Sequence, residues 1–406
     1  MIGTIAWRNI WRNKVRSIIV LSAVAIGMFA GIFSTGFYKG MGDMRFKTAI
    51  RTEVSHIQLH HPAYLENKDI AVFMTNSGQM IEKIRGLDKV EGCSRRLISE
   101  CMAETAHGTM GVNMIGVEPE FEKTVTDIHE KIIEGSYLDH NNSRIPQVLI
   151  GSTLAKELKI KIKSKVRLSL VDREGNIITK LYKVGGLYKT SNTGFDKMNI
   201  FVLRDEMLAQ TGLPEDAASE IAVYLKDDKD VNTIATAIKK LFPAYETKTW
   251  REISKELSLL ADQMDQIMYI FVIIIMLALC FGIINTMLMV VLERKRELGM
   301  LMAVGMSKSR VFRMIVLESV YLSFTGGIAG ILVGYGVIKY FSVHPLKLEM
   351  FSGFEMYGYS TTVYTNLEPG SIIIISILVI LLGIVSAIYP ARKAIRLDPA
   401  DAIRTE

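Results

Sequence analysis

The sequence predicts a membrane protein with four transmembrane α-helices and a large α+β extracytoplasmic (periplasmic) domain between the first and second. Three observations predict it. The 406 residues are 49% hydrophobic, and much of that hydrophobicity is clumped into four runs. The 22% of residues that are charged fall mainly outside those runs. The basic residues flanking the runs lie almost entirely on one side.

Residues 17–37, 267–292, 314–338 and 371–389 are the four runs. Each is close to the ~20 apolar residues needed to cross a bilayer core. They divide the chain into an N-terminal stretch (1–16), an outer domain (38–266), a short loop (293–313), a second outer loop (339–370) and a tail (390–406). Sixteen Lys and Arg lie outside residues 38–266, and fourteen of them fall in the N-terminal stretch, the 293–313 loop or the tail. Cationic side chains accumulate on the cytoplasmic face. Both termini and the 293–313 loop are therefore expected in the cytoplasm, and residues 38–266 outside. The net charge of +6 records this topology. It does not suggest nucleic acid, because no basic stripe with interleaved aromatics occurs.

Trp7 and Trp11 are one helical turn apart, with Arg8, Arg12 and Arg16 in the same rhythm on a neighbouring face. This predicts an amphipathic helix in the cytoplasmic headgroup layer, or simply a basic flank. The first run exceeds the ~7–15 residues of a signal core, so it reads as a retained anchor. Its Gly27 and Gly31 form a small-xxx-small pair suited to helix packing. Cys280 lies in the second run, while Cys93 and Cys101 lie on extended chain in the outer domain. At ~3.3 Å per residue, one straight strand would hold that pair beyond disulfide reach.

The outer domain mixes the two periodicities. Residues 54–60 and 159–163 alternate, and 166–171 and 177–184 flank a turn at 172–175, which reads as a hairpin. Helical patterns cover 77–85, 152–158, 231–242 and 250–267, the last expected to run on into the second span. His56 and His60 would share a strand face, as a metal site or, more plainly, a solvated face. Lys159, Lys161, Lys163, Lys165 and Arg167 would share another on an unbroken strand, facing an anionic partner or only water. Residues 190–196 read as a polar turn. No HExxH, GxSxG or GxxxxGK[ST] pattern occurs, so any nucleotide that drives this chain binds a partner.

The 293–313 loop is the most suggestive segment. Leu298, Leu301, Met302 and Met306 recur at near-helical spacing behind a mixed-charge front from Glu293 to Glu297. Such a helix can dock in a hydrophobic groove while its charges set the register, or be a plain amphipathic linker. Here a resemblance enters. Glu293-Arg-Lys-Arg-Glu-Leu-Gly299 with Ala303-Val-Gly305 resembles the coupling-helix signature of FtsX-like, MacB-type ABC permeases. The opening Ala6-Trp-Arg-Asn-Ile-Trp-Arg-Asn-Lys14 and the closing Tyr389-Pro-Ala-Arg through Arg404 are similar to the ends of that family. The resemblance covers the whole chain. His56–His60 and Gly194-Phe-Asp196 look like its lipoprotein-releasing LolC/LolE branch. The LolC type projects a long hook, whereas the hairpin here is short and proline-free. This points to a LolE-like role or another substrate.

The resemblance implies a permease subunit that is not itself an enzyme and binds no cofactor, with ATP and Mg on a cytoplasmic ABC ATPase dimer. It implies a second permease copy or paralogue, and a lipoprotein carrier or fusion protein outside the membrane. Glu293, Arg294, Arg296, Glu297, Leu298, Gly299, Leu301, Met302, Ala303 and Gly305 are the expected coupling residues. Gly326, Gly330 and Gly334 in the third span permit close helix contact, as a sliding surface or as ordinary packing. Glu318, inside that span, needs a partner such as Arg313 or Arg310. Phe351, Phe354 and Tyr357 in the second outer loop suit the headgroup layer and would frame entry of a lipid-anchored substrate. Release of lipoproteins towards the outer membrane is the expected function. The alternatives are MacB-like efflux of peptides or antibiotics and FtsX-like signalling to cell-wall hydrolases.

Overall fold

Long apolar runs become long helices because each backbone group then finds its hydrogen bond within the segment. The computed structural model describes residues 2–12, 14–139 and 144–396. In chain order the elements begin with α1 (Ile2–Arg12), α2 (Lys14–Ala49), β1 (Ile57–His60) and α3 (Ser77–Arg85). Strands β2 (Val90–Thr105), β3 (Gly108–Val117), β4 (Ile132–Gly135), β5 (Gln147–Gly151) and β6 (Lys165–Val171) follow. Then come β7 (Ile177–Tyr188), β8 (Asn199–Leu203), β9 (Glu220–Leu225), α4 (Val231–Leu241) and β10 (Glu246–Thr249). The chain closes with α5 (Lys255–Glu293), α6 (Lys295–Ala303), α7 (Lys308–Phe341) and α8 (Pro369–Ile395). Contacts divide it into a membrane unit within residues 1–42, 262–347 and 362–406, and an outer unit of residues 43–261 and 348–361.

In the membrane unit, α2, α5, α7 and α8 are, among the described residues, the four helices long and apolar enough to cross a bilayer. Glycines set their spacing. A Cβ on Gly326 would lie 2.9 Å from the Leu21 carbonyl oxygen, and one on Gly330 would lie 2.6 Å from that of Ala25. Gly334 meets Ile32 in the same seam, so the α7 stripe packs on α2 of its own chain. Gly27 instead receives Leu279 of α5, and Gly31 lies against Met276 and Ile375. On the far side of α7, Ser319 Oγ donates to the Gly383 carbonyl of α8 at 2.9 Å. Pro390 does not stop α8, which continues to Ile395. The closing motif beyond residue 396 lies outside the described residues.

The outer unit is built around one long strand. The first part of β2 pairs antiparallel with β9, and β9 with β1 and β1 with β10, giving a four-stranded sheet. Helices α3 and α4 cover it, burying Ile57, Leu59, Ile84, Val223 and Ile238. The second part of β2 pairs with β3 and β6. The path β2–β3–β8–β5–β7–β6 returns to β2, so these six strands close a barrel. Leu97, Met114, Ile150, Val166, Leu168 and Tyr182 fill it. Closure removes the sheet edges.

The hairpin expected at 166–184 is β6–β7, paired from Lys165↔Lys183 to Val171↔Ile177 across a short turn. Asp172 accepts from the Glu174 and Asn176 backbone N–H groups there, and Gly175 takes φ +88°. Cys93 and Cys101 lie on the single strand β2 as free, buried thiols. Other expectations require correction. Residues 159–164 form turns rather than a strand, with Lys159 and Lys163 at positive φ, so the five cations share no face. His56 and His60 are buried, not solvated. His56 Nδ1 accepts from the Leu225 N–H, leaving Nε2–H to donate to Asp228 at 2.5 Å. No cluster suited to a metal ion occurs among the described residues. The turn at 190–196 contains a short helix, Thr193–Met198, capped by the Asn192 side chain. The helix expected from residue 250 breaks at Ser254, in extended conformation, so α5 begins at Lys255. Its 39 residues still span ~58 Å at 1.5 Å per residue.

Candidate coupling site

Helix α6 is nine residues long and sits between α5 and α7. Its start is fixed by Arg294, which leaves helical geometry after α5. Its end is fixed by Gly305, at φ +102°. The Met306 N–H returns to the Leu301 carbonyl at 2.9 Å and the Gly305 N–H to that of Met302 at 3.1 Å. This pair of bonds is a Schellman cap, which requires a residue with positive φ at the Gly305 position. No atom lies within 4 Å of a Cβ placed on Gly305. Backbone conformation, not space, selects glycine there.

The two faces of α6 differ from the simple docking picture. Leu298 is buried, and Leu301, Met302 and Met306 pack partly buried against the membrane unit's own core with Val291, Val311 and Met314. Gly299 is buried as well. The apolar stripe therefore holds α6 to its own chain. Arg296, Met300, Ala303, Val304 and Gly305 are exposed, with Val304 at 85%. Glu293 is exposed beside them. Their i, i+4, i+8 spacing from Arg296 through Met300 to Val304 makes one ridge, charged at one end and apolar at the other.

Arg294 and Glu297 do not join that ridge. Arg294 Nε donates to Glu297 Oε2 at 3.1 Å, while its Nη1 reaches both Glu318 oxygens at 3.2 Å. Asn9 Nδ2 donates to Glu318 Oε1 at 2.8 Å, and Arg12 pairs with Glu297. The Arg12 hydrogen bond holds the Glu297 carboxyl below the usual range, and Arg294 adds to this. The carboxylate of Glu318 thus has Arg294 as its partner rather than Arg313 or Arg310. Charge proximity in the sequence pointed to the same helix; the fold supplied an arginine from the preceding loop. Asn9 and Arg12 were missed as site residues, although Arg12 stood out in the basic rhythm of the N-terminus.

The second outer loop is divided. Residues 348–361 belong to the outer unit, where Lys189 pairs with Glu355 at 3.3 Å and Gly358, at φ +77°, lies against the Arg45 side chain. Phe354 and Tyr357 are exposed. The side chain of Phe351 lies outside those described.

Comparison with known proteins agrees with this architecture. Residues 17–241 match the MacB-like periplasmic core domain and residues 269–399 the FtsX-like permease C-terminal family. The chain is 23% identical to the lipoprotein-releasing system transmembrane protein LolC of Buchnera aphidicola, over 98% of this chain and 96% of that one. It is 24% identical to the uncharacterized ABC transporter permease YknZ of Bacillus subtilis, covering 99% and 98%. It is 33% identical to the macrolide export ATP-binding/permease protein MacB of Syntrophobacter fumaroxidans, over 40% of this chain and 20% of that one. With these matches, the four apolar helices among the described residues and the inserted outer domain indicate an ABC-transporter permease of the bacterial inner membrane. The chain belongs to the FtsX-like, MacB-type family of these permeases, which work with a cytoplasmic ATPase.

Proposed function

We propose that this chain is the mechanical subunit of a transporter that releases lipid-anchored proteins from the inner membrane towards the outer membrane. ATP and Mg bind on a separate cytoplasmic ATPase dimer, and a second permease copy or paralogue completes the membrane part. Both termini and α6 face the cytoplasm, consistent with the fourteen cations on that side. The observation that carries the coupling role is the α6 ridge. Arg296, Met300 and Val304 stand exposed while the opposite face is anchored in the membrane core. An exposed apolar tip beside charge fits a groove on a soluble partner.

Closure of the ATPases would displace α6, and α5 continues from the adjoining residue as one helix to Lys255. Movement would thereby reach the outer unit. Phe354 and Tyr357, with Phe351, are assigned to substrate entry at the outer surface. The end-to-end match to a lipoprotein-releasing protein supports the substrate class. The short β6–β7 turn suits a chain that leaves carrier recruitment to its paralogue. MacB-like efflux with a fusion protein is the second reading, supported by the match of residues 17–241.

Affinity purification from native membranes tests both. An ATPase with lipoproteins or a lipoprotein carrier supports release; an ATPase with a fusion protein and outer-membrane channel supports efflux. Absence of any ATPase would sink the transporter mechanism. Within the complex, Val304→Asp with Met300→Asp is expected to abolish ATPase binding while leaving membrane insertion unchanged. Retained binding in that variant would move the docking surface elsewhere.

A further inference from the structure

We propose that Glu318 is a positioning residue of the transport cycle, anchoring the coupling helix and the N-terminal helix together to α7. The inference rests on α6 being the coupling helix. Five side chains carry it. Glu318 is 6% exposed and Arg294 12% exposed at the side chain, and Arg294 Nη1 lies 3.2 Å from both Glu318 oxygens. Asn9 of α1 donates to the same carboxylate. Arg294 Nε donates in turn to Glu297 of α6, which is also paired to Arg12 of α1.

The connections form a loop through three segments distant in sequence: α1, the α5–α6 junction with α6, and α7. A carboxylate in a membrane helix is costly unless its partners remain in place. Arg294 cannot swing away from Glu318 without leaving that charge unpaired among Met314, Leu322 and Met287. An outward pull on α6 is therefore resisted at α7. The same pull is shared with α1 through Glu297–Arg12 and Asn9–Glu318. Packing supports this second route: Ala6 and Ile10 of α1 are buried in the membrane core, and Trp7 meets Tyr321 of α7 edge-on at 5.7 Å.

The consequence is that α6 and α1 move as one piece with the cytoplasmic end of α7. Without the anchor, α6 would remain able to bind an ATPase through its outer ridge but would pivot independently of the membrane helices. Arg294 and Glu297 thus act inward, on the chain's own helices, and the outer ridge alone meets the partner.

Spin labels at Ile5→Cys and Met300→Cys, in the full-length chain with its three cysteines replaced by alanine, report the α1–α6 distance. Both positions are exposed. The unmodified network should give one narrow distance distribution in nanodiscs. Glu318→Gln should at least double its width, and Arg12→Gln should widen it by less. Leu322→Ala removes a buried neighbour without touching the ion pairs, and should lower thermal stability without widening the distribution. An unchanged width in Glu318→Gln, or equal widening in Leu322→Ala, overturns the anchor. If Glu318→Gln does not fold, Arg12→Gln decides, and an unchanged width there overturns the link to α1 and with it the proposal. This measurement needs no ATPase. Failure of the wild-type chain to bind an ATPase would remove the coupling role of α6 separately, leaving the distance result to judge the anchor. Where ATPase binds, Glu318→Gln in the unlabelled chain with Met300 intact should retain that binding within twofold yet lose at least tenfold in ATP-driven transport, and wild-type transport in that variant overturns the proposal.

Discussion

Arg96 in the outer unit and Arg294 in the membrane unit each face two carboxylates, yet the two clusters are built for different ends. Arg96 donates to Glu122 at 2.7 and 3.1 Å and to Glu220 at 2.7 Å, and all three side chains are buried. Thr126 adds a hydroxyl to Glu122. That cluster is closed, and it fastens β2 and β9 to the short helix Pro119–Val125 within one unit. Arg294 has one buried and one half-exposed carboxylate, and the latter is shared with Arg12 at the surface. This cluster is open at one end. A closed cluster fastens elements within one fold, whereas the open chain of charges ends at the surface with Glu297 and Arg12.

The largest effect expected from breaking this contrast is at Arg96. Arg96→Met leaves two buried carboxylates unpaired, which costs about 3–5 kcal/mol when one member of a buried network is removed. Hydrogen exchange of the β2 and β9 amides in the full-length chain should accelerate accordingly. Replacing all three residues, as Arg96→Met with Glu122→Leu and Glu220→Leu, should recover most of the loss, because the unpaired charges go too. If the single change leaves exchange as it was, the closed cluster does not hold the sheet.

Titration sharpens the same contrast between closed and solvated carboxylates. Asp196 is fully buried and accepts from the Thr190 N–H at 3.1 Å and the Thr190 hydroxyl at 2.7 Å. Burial nevertheless lifts its pKa from an ordinary 3.8 to about 6. A raised pKa in the folded state favours the protonated form. The stabilisation from protonation is therefore complete below about pH 4 and is lost as the pH rises through 6. Two units correspond to roughly 3 kcal/mol. Asp196→Asn should remove this dependence. The wild-type-minus-variant difference in local unfolding, followed by hydrogen exchange, should fall by roughly 2–3 kcal/mol between pH 4 and pH 7. A flat difference would count against the assigned cause.

Much of this architecture was legible in the sequence. Four apolar runs specify membrane helices because the bilayer demands both length and internal hydrogen bonding. The β6–β7 hairpin was legible because period-two alternation brackets a Gly-containing turn. The alternation of residues 159–163 misled, because Lys and Ile in alternation also suit a turn that leaves the cations in water; Lys159 and Lys163 took positive φ. His56 looked solvated because its partner Asp228 is far away in sequence. In α6, the stripe of Leu298, Leu301 and Met302 was legible as a stripe, but amphipathicity does not say what covers the apolar face. The chain's own helices do. The capping role of Gly305 was likewise hidden, since conformation at one residue depends on the bonds its neighbours make.

In the membrane unit the α2–α7 seam relies on backbone proximity. Gly330→Leu would drive a side chain into the Ala25 carbonyl and Met28, and overpacking of this kind costs about 1–3 kcal/mol. Thermal unfolding in detergent should register it. Gly336, on the same helix, has nothing within 4 Å of a Cβ, so Gly336→Leu should change stability by less than about 0.5 kcal/mol. Equal effects at the two positions would show that helix glycine content, not the α2–α7 seam, matters.

The smallest effect separates two jobs held by one side chain. Asn192 accepts from the Gly194 and Phe195 N–H groups, capping the helix Thr193–Met198, and its Nδ2 donates to Glu53 at 3.0 Å. Asn192→Ala removes both and should cost about 1 kcal/mol, the usual value of an N-cap. Asn192→Ser restores a capping oxygen but is too short, and lacks the amide N–H, to keep the hydrogen bond to Glu53. Recovery of most of the loss by serine, read from exchange of the Phe195 amide, assigns the energy to the cap. Failure of serine to recover it assigns the energy to Glu53, which Arg45 also holds at 3.0 Å. The capping loop would then be one more buried-charge device of the outer unit, beside the Arg96 cluster.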